Sequence, residues 1–130
     1  MEHKPVYKKK ATTKTPEVIL LYDDVEDAIR LSIKGRCIPE NPIEFFAPLI
    51  ERLKNKIKQF SSKDVHLILD IEYINSISIK FMIKILTIFT DFVERKDMLK
   101  VDWYYEDEDT FEVGSDLAYI TGLEFNFIEK

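Results

Sequence analysis

Apolar residues along this chain follow two different rhythms. Between Asp64 and Ile74 they alternate, with Val65, Leu67, Leu69 and Ile71 in phase and Ile68 filling in. That is the pattern of a strand buried on at least one face. From Ser76 to Arg95 the period lengthens. At ~100° per residue, Lys80, Lys84, Thr87, Asp91 and Glu94 share one stripe, while Ile79, Met82, Ile83, Leu86, Phe89 and Val93 gather on the opposite arc. The spacing predicts a helix with a broad buried face. Strand and helix meet in a polar corner, Asn75-Ser76-Ile77-Ser78, at the C-terminal end of the strand, where α/β sheets place ligands and partners.

The rest of the chain divides in the same way. Val18 to Leu21 predict a strand over 17–22, and Ile29, Leu31 and Ile33 a second over 28–34. The acidic link between them is too short for a parallel crossover, so they form an antiparallel hairpin, which Gly35 ends. Asn41, Pro42 and Glu44 have the spacing of an N-cap, a first helical position and a capping-box partner. The helix they open runs to about Phe60 and is expected to bury Ile43, Phe46, Leu49, Ile50, Leu53 and Ile57, with Pro48 kinking it or delaying its regular part. Met98 to Tyr105 predict another strand. The carboxylates 106–109 suit the start of a helix that begins near Thr110 and stops at Gly122. Leu123, Phe125 and Phe127 alternate in a closing strand. Right-handed crossovers make the last three strands parallel. The expected architecture is one α/β domain over residues 15–130, ββαβαβαβ, with a mixed five-stranded sheet and three helices, preceded by a disordered basic tail over 1–14.

Composition narrows the class. A chain of 130 residues, 45% hydrophobic and 33% charged, is one soluble globular domain with a real core. No apolar run approaches the ~18–20 residues of a membrane span, and the N-terminus has no apolar signal core. The single cysteine, Cys37, rules out an internal disulfide and fits a reducing cytoplasm. Five lysines and Glu2 give residues 1–14 a charge of +4, which leaves −9 on residues 15–130 of a chain whose total is −5. A domain that acidic is a poor nucleic-acid binder.

Catalytic chemistry is hard to place. With glycine only at 35, 114 and 122, no phosphate-cradling loop exists. Neither His3 nor His66 has a partner at metal-ligand spacing, and no base stands near Cys37. The acidic run 106–109 matches no calcium loop. Asp70 and Glu72 are the one acid/base pair that alternation puts on a common face. The expectation is a protein without catalysis, cofactor or metal. Ser76 is the residue of interest. It precedes the first periodic position and reads as an N-cap. A phosphate on it would meet free helix amides and the positive end of the helix dipole, with Lys80 about one turn away. Ser78 points ~160° from the lysine stripe, toward the packed side.

Two stretches carry a resemblance. Gly35-Arg-Cys-Ile-Pro-Glu-Asn-Pro-Ile-Glu-Phe-Phe-Ala-Pro-Leu and Leu69-Asp70-Ile-Glu-Tyr73-Ile-Asn75-Ser76-Ile-Ser78-Ile-Lys80 are similar to the Pro-Glu-Asn segment and the Tyr-x-Asn-Thr/Ser-x-Ser corner of the SiaC-type bacterial regulatory phosphoproteins. The likeness extends over about residues 15–130. It implies a cytoplasmic, non-catalytic regulator that a dedicated SiaB-like serine/threonine kinase phosphorylates and a PP2C-type phosphatase restores. The unmodified form would bind and activate a diguanylate cyclase and so control cyclic-di-GMP signalling. Carried over residue by residue, the phosphoacceptor is Ser76, a position often occupied by Thr in the family. The partner surface around it is Pro39, Glu40, Asn41, Tyr73, Asn75, Ser78 and Lys80. The alternative is a STAS-type anti-sigma-factor antagonist, which also sets a phosphorylatable serine at a helix start and whose architecture is similar. Here, however, Asn75-Ser76-Ile77-Ser78 stands in place of that family's Asp-Ser-Ser-Gly.

Overall fold

Six strands lie side by side in the order in which the chain makes them. The computed structural model describes residues 5–60 and 64–130. Its strands are β1 (Pro5–Lys9), β2 (Glu17–Asp23), β3 (Ala28–Cys37), β4 (Val65–Ile74), β5 (Leu99–Tyr105) and β6 (Phe125–Glu129). Three helices join the last four: α1 (Pro42–Lys56), α2 (Ser76–Phe92) and α3 (Glu108–Thr121). β1, β2 and β3 form an antiparallel meander, and β3 to β6 run parallel. Each parallel step moves the same way across the sheet. With right-handed crossovers this puts all three helices on one face. Burial agrees, for Val65, Leu67, Leu69 and Ile71 are buried while His66, Ile68 and Asp70 between them are partly exposed.

The sheet has six strands where five were expected, and the additional one comes from the segment read as a disordered tail. Residues 5–9 pair with β2 through Lys8–Ile19 and Lys9–Val18, and residues 1–4 lie outside the described residues. Lysine hid this strand. Lys9 sets its ammonium 4.6 Å from the Phe45 ring centroid, and the Arg52 guanidinium donates to the Val6 carbonyl at 3.1 Å. Cationic side chains here cover apolar surface and protect a sheet edge, so no alternation of apolar residues marks it. The remainder of the segment is also tied down. Ile38 N–H donates to the Lys14 carbonyl at 2.8 Å, and Lys14 pairs with Glu40.

The helix that connects β3 to β4 keeps its expected start. Asn41 Oδ1 accepts from Glu44 N–H at 3.1 Å, and Pro42 is at the first turn. It runs through Pro48 without ending and stops at Lys56, followed by a 3-10 turn over Ile57–Gln59. Its buried stripe includes Phe45, 5% exposed, and leaves Ile43 65% exposed, contrary to expectation. The stripe runs through positions 45, 46, 49, 50 and 53, and at 3.6 residues per turn Ile43 falls outside it. Stacking of Phe46 on Phe81, 5.1 Å between centroids, closes the seam between α1 and α2. No helix among the described residues is long and apolar enough to cross a membrane.

α3 begins at Glu108, slightly earlier than predicted, because Asp107 Oδ1 accepts from Thr110 N–H at 2.8 Å. This capping accounts for part of the acidic run. Gly122 ends the helix in the left-handed region at φ 70°. Trp103 is fully buried under α3 and donates its indole N–H to the Thr110 carbonyl at 3.0 Å. Gly114 lets the helix approach that ring, since a Cβ there would lie 2.5 Å from Trp103 Nε1. Gly114→Ala should therefore lower unfolding stability by about 1–3 kcal/mol, the usual cost of overpacking a core. Urea denaturation checks this, and an unchanged midpoint would mean that Trp103 can move aside.

Candidate partner-binding site

β4 leaves the sheet at Tyr73 and Ile74 and turns into α2 at Asn75. Asn75, rather than Ser76, is the N-cap. Its Oδ1 accepts from Ser78 N–H at 3.0 Å, and its carbonyl accepts from Ile79 N–H at 3.1 Å. The same residue faces backwards as well. Its own N–H donates to the Cys37 carbonyl at 3.2 Å, and its Nδ2 donates to the Pro39 carbonyl at 3.3 Å. A serine has one hydroxyl and cannot both cap the helix and donate an amide hydrogen across to the 38–41 loop. The Asn75 side chain therefore joins the Pro-Glu-Asn segment to the corner.

This assignment frees Ser76. It occupies the first helical position, exposed, and its hydroxyl has no hydrogen-bond partner among the described residues. The amides of Ser76 and Ile77 belong to the first turn, which has no intrahelical acceptors, at the positive end of a 17-residue helix. Lys80 is exposed one turn further on.

Ser78 is fully buried, and its Oγ has no hydrogen-bond partner of normal geometry. Beneath it lies Cys37, also buried at the end of β3. Burial pushes the Cys37 thiol up to about 11, with the Ser78 hydroxyl acting in the opposite direction. Ser78 thus leaves the expected partner surface, because its side chain packs inward. Pro39 is buried too and contributes its carbonyl to Asn75. Of the other expected surface residues, Glu40 is exposed and paired with Lys14, Asn41 caps α1, and Tyr73 is 59% exposed. The Arg36 guanidinium lies 5.5 Å from the Tyr73 ring centroid. Asp70 and Glu72 each hold a cation, Lys130 at 2.8 Å and Arg36 at 3.7 Å. As an acid/base pair they are already engaged.

Two residues extend the surface beyond the sequence reading. Ile43 and Ile77 are 65% and 50% exposed. Ile43 precedes Phe46 by one turn, and Ile77 precedes Phe81 by one turn. Phe46 and Phe81 are the stacked pair between the two helices. Because α1 and α2 follow parallel strands, their N-termini stand side by side, and both isoleucines continue the seam toward solvent. Periodicity had assigned Ile43 to the core, and Ile77 was inconspicuous between two serines. The result is a hydroxyl flanked by exposed apolar groups, with helix amides behind it.

The fold and site together define a one-sided α/β domain that presents a free hydroxyl at a capped helix start. The chain matches the model of the SiaC family regulatory phosphoproteins over residues 9–130, and it belongs to that family. Among solved structures it is similar to SiaC of Pseudomonas aeruginosa. In its complex with the diguanylate cyclase SiaD, of which it is described as the activator, SiaC gives a TM-score of 0.78 at 23% identity, covering 95% of this chain and 99% of that one. Apo-SiaC from the same organism gives 0.75 at 22% identity, covering 98% and 99%. No curated protein matches the chain by sequence.

Two measurements test this geometry. Asn75→Ala should cost about 1–2 kcal/mol through the lost cap, read as a lower denaturation midpoint, and Asn75→Ser should recover part of it. In the folded protein, Cys37 should react with a disulfide reagent at pH 8 about a hundredfold more slowly than a free thiol of ordinary pKa. Unfolding should abolish the difference. Fast reaction of the native thiol would mean that Cys37 is not buried.

Proposed function

We propose that this protein is a non-catalytic cytoplasmic regulator whose unmodified corner binds and activates a diguanylate cyclase, and that phosphorylation of Ser76 releases the cyclase. A SiaB-like serine/threonine kinase adds the phosphate, and a PP2C-type phosphatase removes it. The observation that carries the reading is the contrast between the two corner serines. Ser76 is exposed with an unused hydroxyl, whereas Ser78 is sealed at 0% exposure. Membership of a phosphoprotein family and the fold shared with a cyclase activator support the rest.

The mechanism follows from charge and solvation. An effector that covers Ser76 also buries Tyr73, Ile77 and Ile43, so most of its contact is apolar. A phosphate adds roughly −1.5 to −2 charges in the middle of that patch. The helix amides and Lys80 are placed to hold it while the corner is exposed to water. Under an effector, that charge would have to be desolvated without a matched partner, which is costly. Asn75 keeps its own hydrogen bonds throughout, because it uses none of the atoms that carry the phosphate. The switch therefore changes the affinity of the surface and leaves the fold in place.

Binding of the cyclase to Ser76→Ala, Ser76→Asp and Ile77→Asp, with thermal unfolding of each chain, tests the proposal. Ser76→Ala should bind like the parent and take up no phosphate. Ser76→Asp and Ile77→Asp should each bind at least about tenfold more weakly, a loss of about 1.4 kcal/mol, at nearly unchanged thermal stability. Parental affinity in Ser76→Asp, or a phosphate mapped to Ser78 by mass spectrometry, would overturn it.

A further inference from the structure

The sheet ends in two unlike edges. β1, on one side, carries Pro5, Lys8 and Lys9, and its register with β2 is irregular between Pro5 and Tyr7, all of which discourage further pairing. β6, on the other, reads Phe-Asn-Phe-Ile-Glu, without proline or lysine and without a break in its register with β5. Lys130 N–H donates to the Tyr105 carbonyl at 2.9 Å, which fixes the phase of this parallel ladder. The backbone groups of Asn126 and Ile128 therefore face β5, and those of Phe125, Phe127 and Glu129 face outward. Among the described residues, nothing pairs with these outward groups. We propose that the β6 edge is a docking site for an extended segment of a partner protein, basic at one end, which adds a further strand to the sheet.

Strand addition takes its affinity from main-chain hydrogen bonds and its specificity from the side chains beside them. On the helical side the edge has an aromatic shelf. The Phe111 ring centroid lies 4.9 Å from that of Phe127 and 5.1 Å from that of Tyr105. Phe111 is 37% exposed, so the shelf is open to a side chain arriving along β6. A β-branched or aromatic residue of the added strand would pack against it, as cross-strand neighbours do.

Charge decides the kind of partner. At the C-terminal end of the strand an open cavity of about 360 Å³ is lined by Tyr105, Glu106, Asp107, Glu108, Phe111 and Glu129. Asp107 is engaged as the cap of α3, but the carboxylates of Glu106, Glu108 and Glu129 form no ion pair among the described residues. A guanidinium or ammonium group there would meet carboxylates on one side and aromatic rings on the other. A second copy suits this edge less well. It would bring its own Glu124 and Glu129 to the same short ladder, and Lys130, the cation at the end of β6, is already held by Asp70 at 2.8 Å. The edge lies two strands away from the end of β4 where the corner begins, so the inference does not depend on what Ser76 does.

Titration of the isotope-labelled full chain with the peptide Arg-Val-Thr-Val-Thr-Val-Arg, followed by amide NMR, tests the proposal. Arginine at both ends lets either strand direction reach the carboxylates. The amides of Phe125, Phe127 and Glu129 should shift, and their exchange with solvent should slow at least about tenfold as they become hydrogen-bonded. The peptide with glutamate in place of both arginines should bind at least about tenfold more weakly at about 50 mM salt, and the gap should narrow at about 500 mM. Glu129→Gln should weaken binding of the arginine peptide through charge alone. Glu129→Pro, which also deletes an outward N–H at an edge position that tolerates proline, should weaken it further. Unchanged amides at about 2 mM peptide, where even a contact with a Kd of about 1 mM is mostly formed, would overturn the inference, as would equal binding of the two peptides. Shifts at the β6 amides that grow with protein concentration before any peptide is added would assign the edge to a second copy and overturn it as well.

Discussion

Asn75 is the constraint on which the corner depends. One side chain caps α2 through Ser78 N–H and grips the Pro39 carbonyl, while its backbone N–H closes on Cys37. The end of β3, the loop that opens α1 and the start of α2 are thereby fixed relative to one another. Ser76 could serve as the cap only at the expense of its accessibility. With Asn in that role, the hydroxyl stands free on a rigid base. The separation of holding from signalling is what allows a chemical change at one residue to alter recognition while the backbone stays where it is.

Helices on one side only give the molecule two unlike surfaces. The helical side has a continuous core from Phe46 and Phe89 to Trp103. The opposite side has shorter apolar side chains set among ion pairs, a composition suited to a surface that is sometimes wet. The corner is at the C-terminal end of the sheet, where the two meet. The effector surface thus occupies one end of the domain and leaves the open sheet face apart from it.

Much of this was legible in the sequence. The period change at Ser76, the capping spacing of Asn41, Pro42 and Glu44, and the closing Gly122 all report local rules, and local rules are readable from local residues. The inward turn of Ser78 followed from helical geometry alone. What escaped the sequence depends on tertiary contacts. β1 is held by lysine stems and by hydrogen bonds from distant residues, so its own composition looked like that of a solvated tail. Ile43 obeys the period of a buried face, but the stripe that α1 buries is displaced toward Phe45. The role of Asn75 needed knowledge that Pro39, 36 residues earlier in the chain, would be within reach.

Strand order that matches chain order also bears on how the protein comes to be folded. Every strand from β2 onward pairs with the one synthesised just before it, so each pairing closes a loop no longer than a single helix and its turns. Such short closures carry a small entropic cost and favour rapid folding. During synthesis the sheet can grow one strand at a time from its N-terminal edge, and no strand need wait for a later one to fill a gap beside it. β1, with its lysines, is then the end that is finished first and protected while the opposite edge is still being extended.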